Sequence, residues 1–599
     1  MPAISPASAA DPAGGSERAA DAPARAPLAR RAPYPGLAAA LARHALEETK
    51  AKARSALHRS AAWRLALRGP LPAGLTVVPD ALTEATLEGA QDILRGRFSL
   101  KAGIIDVQGV SPFDAVAPAP LQDELHRFAW LAHLERAGGK TARFVAQALV
   151  EDWIDRFERF RAGVWAPAVL GPRLVAWAAH FRFLTSNHDL IFRSRLLKTM
   201  AEQTRHLART VDETPPGPTR LAAAAALAVM DTAFPESGAR ALRAADALRL
   251  AIEGAVLADG GIVTRAPVDQ MDGLAALLRA QRVLSDAHRP LSPILLATVE
   301  AMRNRLSLLR HGDGRLACFN GASEGDPALL ADLLAGMPPA GSGLAPEWGY
   351  ARLAAHDTAV VFDCGGPPPG PFAATSHCAP LAFELSHEAQ RIIVNGGVAG
   401  RRGPEWVNAA RRTAAHAALQ IGERDAGDLL DGAAARRLGE RLYGGATEGT
   451  LDGGEAGFWA DASHDLYGAH FGAVHRRRLF LSADGTDLRG EDTLTRATPR
   501  GRLDVAIRFP LHPDCRASLT QSGDSVQIAP PQGEPWRFRA ALGGAEERLT
   551  LEPALYMGGE TVRRTQAIVL RAAAGGAAWT MRWALRIDIA DRRPRRRLV

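Results

Sequence analysis

Between residues 120 and 310, apolar positions recur with the three-to-four spacing of an amphipathic helix. The segments 121–137, 142–160, 171–184, 190–211, 218–233, 237–257, 269–287 and 292–309 carry this pattern, and Gly or Pro often separates them, as at Gly138-Gly139, Pro167, Pro215-Pro216, Gly260-Gly261 and Pro290. Trp130, Trp153, Trp165 and Trp177 fall inside the array and are expected to pack between helices. Helices joined by short links predict stacked hairpins in a bundle, solenoid or closed toroid. From about residue 345 the period changes. Short β-leaning runs at 359–362, 381–385, 391–394, 417–421, 479–482, 504–509, 525–528, 536–540, 548–551, 567–570 and 579–587 are punctuated by Gly-Gly turns. Many short strands at this spacing predict an antiparallel β-sandwich. Helices first and strands second mean two domains rather than an alternating α/β fold.

The ends differ from this body. Residues 1–36 are rich in Ala, Pro, Ser and Gly and lack the apolar stretch of a secretory signal. They predict a disordered tail. Residues 37–75 predict a basic amphipathic helix and a linker, which either packs against the body or makes peripheral membrane contact through 37–66. The remaining boundaries are a helical domain at 76–335, a sandwich at 345–590 and an Arg-rich tail at 591–599. Charge follows the same division. The chain of 599 residues carries a net +7, but residues 1–70 hold +6 and residues 591–599 hold +4, leaving −3 for the body. A nucleic-acid-binding fold concentrates basic charge on itself, so nucleic acid is not an expected partner. The longest apolar run, 221–230, is half of a membrane span. Four cysteines without CxxC spacing argue against a zinc–cysteine site. A cytoplasmic location fits these features.

The segment 376–386 (SHCAPLAFELS) resembles the opening of the sandwich in the heparinase II/III-like family. Similar stretches are 411–419 (RRTAAHAAL), 467–470 (YGAH), 475–481 (HRRRLFL), 485–492 (GTDLRGED), 96–98 (GRF) and 184–190 (LTSNHDL). The resemblance spans about residues 90–590. It implies an incomplete α/α toroid followed by an antiparallel β-sandwich, and it implies β-elimination of a uronic-acid-containing glycan in the groove between them. In that reaction a base removes the proton beside the uronate carboxylate, donors neutralise that carboxylate, and a Tyr or His moves protons. The implied partner is an acidic polysaccharide or oligosaccharide. No metal and no cofactor are expected. Family lyases commonly work in the periplasm, so the cell envelope stands beside the cytoplasm as the implied location.

Residue by residue, the resemblance implies Asn187 as the carboxylate grip and His188 as base or supporting group. The residues alone allow Asn187 to be a helix N-cap instead. His377 matches either the catalytic or the metal-binding His of the family. Ala379 and Leu381 stand where a His/His/Asp-type zinc site would continue. The family's lyases place a Tyr after a Gly-Gly turn in the toroid. The matching stretch, 259–270, has none, and the five tyrosines are Tyr34, Tyr350, Tyr443, Tyr467 and Tyr556. Tyr467 is the substitute expected from the sandwich side. Arg265 is a candidate for binding substrate carboxylate, and Arg412, His416 and His475 are carried over as substrate-binding residues. The alternative is a non-catalytic glycan-binding or envelope-associated protein that has lost the toroid Tyr.

Overall fold

Helices with one apolar stripe have to bury it against neighbours, and in the computed structural model they do so around an inner helix, Pro218–Ala233. Residues 34–588 are described, save 83–84, 108, 187–188, 235–237, 399–403 and 545. The inner helix contains the longest apolar run. Leu221 and all of 223–233 are buried, and its alanines let Pro167–Ala179, Gly238–Glu253 and Pro267–Asp286 approach closely. Gly171 lies so near Ala226 that an added Cβ would stand 3.1 Å from the Ala226 Cβ. Outer helices include Ala119–Arg127, Gly139–Phe157, Leu190–Thr210 and Pro293–Leu308. The segment 121–137 is two helices, because Phe128 adopts a left-handed φ of 61°. Its ring packs among Trp130, Trp153 and Trp177, and that burial outweighs the local preference for a continuous helix.

The second half is antiparallel throughout. One sheet runs Thr447–Gly454, Gly457–His464, Ala473–Ser482, Asp487–Arg496, Ala578–Ile587, Trp536–Ala540, Ser525–Ala529 and Arg516–Leu519 in spatial order. A second runs Arg548–Tyr556, Arg563–Ala574, Leu503–Pro510 and Leu419–Ile421. A third runs Gly343–Ala345, Tyr350–Ala355, Thr358–Asp363, Phe383–His387 and Gln390–Ile393. The apolar faces meet in a core that includes Phe383, Phe509, Phe538 and Trp583. The helical core continues across the junction onto Trp348, in a turn of the third sheet, and onto Tyr350 and Val361 of its strands, so the two domains share buried surface.

A toroid turn plugs into the sandwich: Gly260 has φ +92°, and Gly261 sits where an added Cβ would come within 2.2 Å of Trp348. Only glycine allows that approach. Asp259 locks the turn, accepting from the Gly261, Glu347 and Trp348 amides at 3.0, 3.1 and 3.0 Å.

The helix Leu37–Arg59 ties the domains together from outside. At its start the Tyr34 ring meets Tyr443 edge-on, with centroids 5.1 Å apart, and the helix packs on Gly432–Leu438 of the sandwich domain. At its end His58 is buried against Trp63, Phe160 and His206 of the helical domain and lies 3.4 Å from Glu213. Positions 45–53 between these anchorages are all exposed. The helix expected to lie on the body or on a membrane is thus held by the protein at both ends. Among the described residues no helix is long and apolar enough to cross a membrane.

Candidate functional site

The junction holds a cleft of about 540 Å³ walled by Leu257, Val263 and Arg265 from the helical side, and by Leu344, Pro346, Glu347, Gly349, Cys364–Pro369, Phe372 and Thr447–Gly449 from the sandwich side. Arg265 lies in the toroid stretch 259–270, which contains no Tyr. It adopts a left-handed φ of 59° and is 6% exposed. Its guanidinium pairs with Asp363 and donates to the carbonyls of Trp348 (2.7 Å), Gly366 (2.8 Å) and Gly349 (3.1 Å). Burial alone would lower its pKa, but the Asp363 carboxylate and its other neighbours more than reverse this and hold it above the ordinary Arg range. The side chain is therefore a strut between domains, committed to internal acceptors.

A hydrogen-bonded chain runs from this strut to the histidines. The Tyr350 hydroxyl donates to the Arg265 carbonyl at 2.7 Å and accepts from Asn320 Nδ2 at 2.7 Å. Asn320 Oδ1 accepts from the His377 amide at 3.1 Å. His377 Nε2 accepts from the Gly321 amide at 2.9 Å, which leaves the proton of a neutral ring on Nδ1, facing His416 Nε2 at 3.1 Å. That same His416 nitrogen lies 2.9 Å from the Ala410 carbonyl, while its Nδ1 has no partner. One nitrogen cannot both accept from His377 and donate to Ala410, so one of the two contacts is unmatched. Burial depresses both rings, His377 well below the usual His range and His416 to about 4. Both are neutral near pH 7. The structure thus brings Arg265, His377 and His416 into one buried network.

The other candidates lie elsewhere. Tyr467 requires a correction. It is fully buried in the sandwich core and its hydroxyl donates to the Leu419 carbonyl at 2.8 Å, so it presents nothing to the cleft. His475 is also a correction. It is fully buried, 2.8 Å from Asp492, which in turn accepts from Arg477 Nε at 2.7 Å. That cluster ties strands of one sheet and offers a ligand no access. Arg412 pairs with Asp425 at 2.9 Å and does not line the cleft. Asn187 and His188 lie outside the described residues. The N-cap of Leu190–Thr210 is Asp189, whose carboxylate accepts from the Phe192 amide at 2.9 Å.

Sequence reasoning missed Asn320, Tyr350 and Asp363, which complete the network and had no motif to signal them. It also missed Asp269, just past the toroid turn. Burial raises its carboxyl to about 6, while Thr264 donates to it at 2.6 Å. Nor did it anticipate the charge of the cleft. Glu347 and Glu448 line it, both exposed and neither in an ion pair among the described residues, while Arg265 is neutralised by Asp363. Its free charge is negative.

The family model for the heparinase II/III-like C-terminal domain matches residues 337–586. FtsZ-localized protein C of Caulobacter vibrioides is 32% identical over 525 residues, covering 85% of this chain and 89% of that protein. Among solved structures, heparinase III superposes with a TM-score of 0.66 at 13% identity, covering 92% of this chain and 91% of that one. A mutant of the heparan sulfate lyase HepC from Pedobacter heparinus gives 0.59 at 15% identity over the same shares. Chondroitin AC lyase of Streptomyces coelicolor A3 gives 0.54 at 12%, covering 85% of this chain and 79% of that one. Helical toroid, antiparallel sandwich and sequence matches agree: the chain belongs to the heparinase II/III-like family.

Proposed function

We propose that this chain is a binding protein built on a lyase scaffold, acting with FtsZ, and that it does not eliminate across a uronate. The observation that carries this reading is Arg265. In the toroid stretch 259–270, which contains no Tyr, this chain has a guanidinium whose hydrogen bonds are spent on Asp363 and three carbonyls. Elimination needs a group poised to exchange a proton near the working pH and a cationic or hydrogen-bonding cradle for the developing carboxylate charge. Tyr350, Tyr467 and Tyr556 are buried with their hydroxyls engaged. The unpaired carboxylates of Glu347 and Glu448 oppose a polyanion, each by about 1 kcal/mol at 4 Å in a water-like dielectric. The relatives support the same reading: the protein at 32% identity is named for its localisation with FtsZ, whereas the lyases share the fold at 12–15% identity.

The test has two arms. Incubation with heparan sulfate, chondroitin sulfate and other uronate glycans is expected to leave the ultraviolet absorbance of an unsaturated uronate flat. A rise that His377→Ala abolishes overturns the non-catalytic part. Co-sedimentation with FtsZ polymers is expected to carry the chain into the pellet, and its retention in the supernatant overturns the FtsZ part.

A further inference from the structure

The lining of the cleft is biased towards acceptors. Its donors are drawn inward. The amides of Leu257, Val263, Gly349 and Cys364 donate to the carbonyls of Gly261, Ala255, Ala345 and Gly349. Those of Glu347 and Gly365 donate to the Asp259 and Asp363 carboxylates. Pro346 and Pro367–Pro369 carry no N–H. The Arg265 guanidinium is committed to Asp363 and three carbonyls. The carboxylates of the lining are not spent in this way. Glu347 and Glu448 are exposed there, and neither forms an ion pair among the described residues. The Ala258 amide donates to Glu347 Oε2 at 3.0 Å, which pins that carboxylate across the domain junction and leaves Oε1 for a ligand. The Thr447 hydroxyl, in the same lining, is buried without a hydrogen-bond partner.

Such a site selects by charge. A carboxylate or sulfate entering it meets two like charges and no uncommitted cation, whereas an ammonium group meets its counter-charges and can donate three hydrogen bonds. The rest of the wall includes Leu257, Val263, Leu344, Phe372 and the four prolines, a surface that favours methylene groups over water. The volume of about 540 Å³ is that of a small-molecule site. We propose that the cleft binds a linear polyamine, an alkyl chain bearing two or more ammonium groups, with its charges on Glu347 and Glu448 and its methylenes on the apolar wall. Leu257 and Val263 belong to the helical domain and the carboxylates to the sandwich, so the ligand touches both. This names the ligand class of the cleft and rests on reading the chain as a binding protein rather than a lyase.

Calorimetric titration of the full-length chain with spermidine at low ionic strength tests it. The expected result is saturable one-to-one binding. A carboxylate 4 Å from an ammonium in water-like surroundings is worth about fivefold in affinity. Glu347→Gln and Glu448→Gln should each weaken binding by about that factor, and the double variant by about 25-fold. Both side chains are exposed, and glutamine keeps an acceptor for the Ala258 amide, so the variants should unfold at the wild-type urea midpoint. Putrescine, with two ammonium groups, should bind about fivefold more tightly than butylamine, with one. Absence of saturable binding overturns the proposal. So does an affinity that the double variant leaves unchanged, which marks diffuse attraction to the acidic body, and so does equal binding of putrescine and butylamine. Glycan cleavage in the absorbance assay overturns the function proposed above, whereas failure to bind spermidine with FtsZ co-sedimentation intact overturns this proposal alone.

Discussion

Replacing Arg265 with Ala isolates what the strut contributes. The substitution leaves the buried Asp363 carboxylate without its cation and strips the Trp348, Gly349 and Gly366 carbonyls of a donor. Removing one partner of a buried ion pair costs about 3–5 kcal/mol, because the remaining charge stays desolvated. Replacing both partners with apolar residues is close to neutral by the same reasoning, so Arg265→Met with Asp363→Leu should recover most of the loss. The assay is urea unfolding followed by tryptophan fluorescence, since Trp348 is buried beside the strut and its carbonyl accepts from Arg265. The expected order of midpoints is wild type, then the double variant, then Arg265→Ala. A loss below about 1 kcal/mol in Arg265→Ala, the range of an exposed pair, refutes the strut and reopens Arg265 as a ligand-binding residue.

Acid should weaken the fold through its buried neutral histidines. Burial lowers His126 to about 4, and its Nδ1 accepts from Trp153 at 3.0 Å. The unfolded chain, with His near 6.5, takes up the proton first, so stability is full above about pH 6.5 and declines towards pH 4. The loss from this one residue is about 2 kcal/mol by pH 5, and His126→Gln, which keeps an acceptor for Trp153, should flatten the pH dependence of the urea midpoint by that amount. Tyr467→Phe should cost about 1 kcal/mol from the lost bond to Leu419 and leave FtsZ co-sedimentation unchanged; lost co-sedimentation in a folded variant would refute its placement in the core. Asp492→Asn should destabilise by about 3–5 kcal/mol, since buried Arg477 loses its counter-charge, and an unaltered melting temperature would contradict that pairing.

The parts of the fold that were legible are those with a strong period. Helices such as 218–233 and strands such as 504–509 announce themselves because their apolar residues are buried along most of their length. The strand Thr447–Gly454 (TEGTLDGG) is invisible to the same reasoning. Its Gly and Asp are poor strand formers, and pairing from Thr447↔His464 to Gly454↔Gly457 is what holds it extended. That one strand forms a wall of the cleft, so the site's shape was hidden while the two-domain plan was not. The candidate residues divide in a related way. Family motifs led to His377, His416 and Arg265, which share a network. They also led to Tyr467 and His475, which are polar side chains spent on the sandwich interior. A sequence shows that a polar residue is present, but whether its hydrogen bonds are satisfied inside the protein depends on partners such as Leu419 and Asp492, 48 and 17 positions away in the chain.

The helix Leu37–Arg59 is anchored to the sandwich near its start and to the helical domain near its end, with nine exposed positions, 45–53, between. A helix is nearly incompressible along its axis, and the ten steps from His44 to Arg54 fix about 15 Å. The distance between its anchorage on the sandwich and its anchorage on the helical domain is thus metered by a count of residues. Inserting one turn into the exposed stretch would lengthen the gauge by about 5 Å, and deleting one would shorten it. The spacing of two anchorages on different domains, ordinarily the outcome of many dispersed contacts, becomes here a quantity that a short insertion can set.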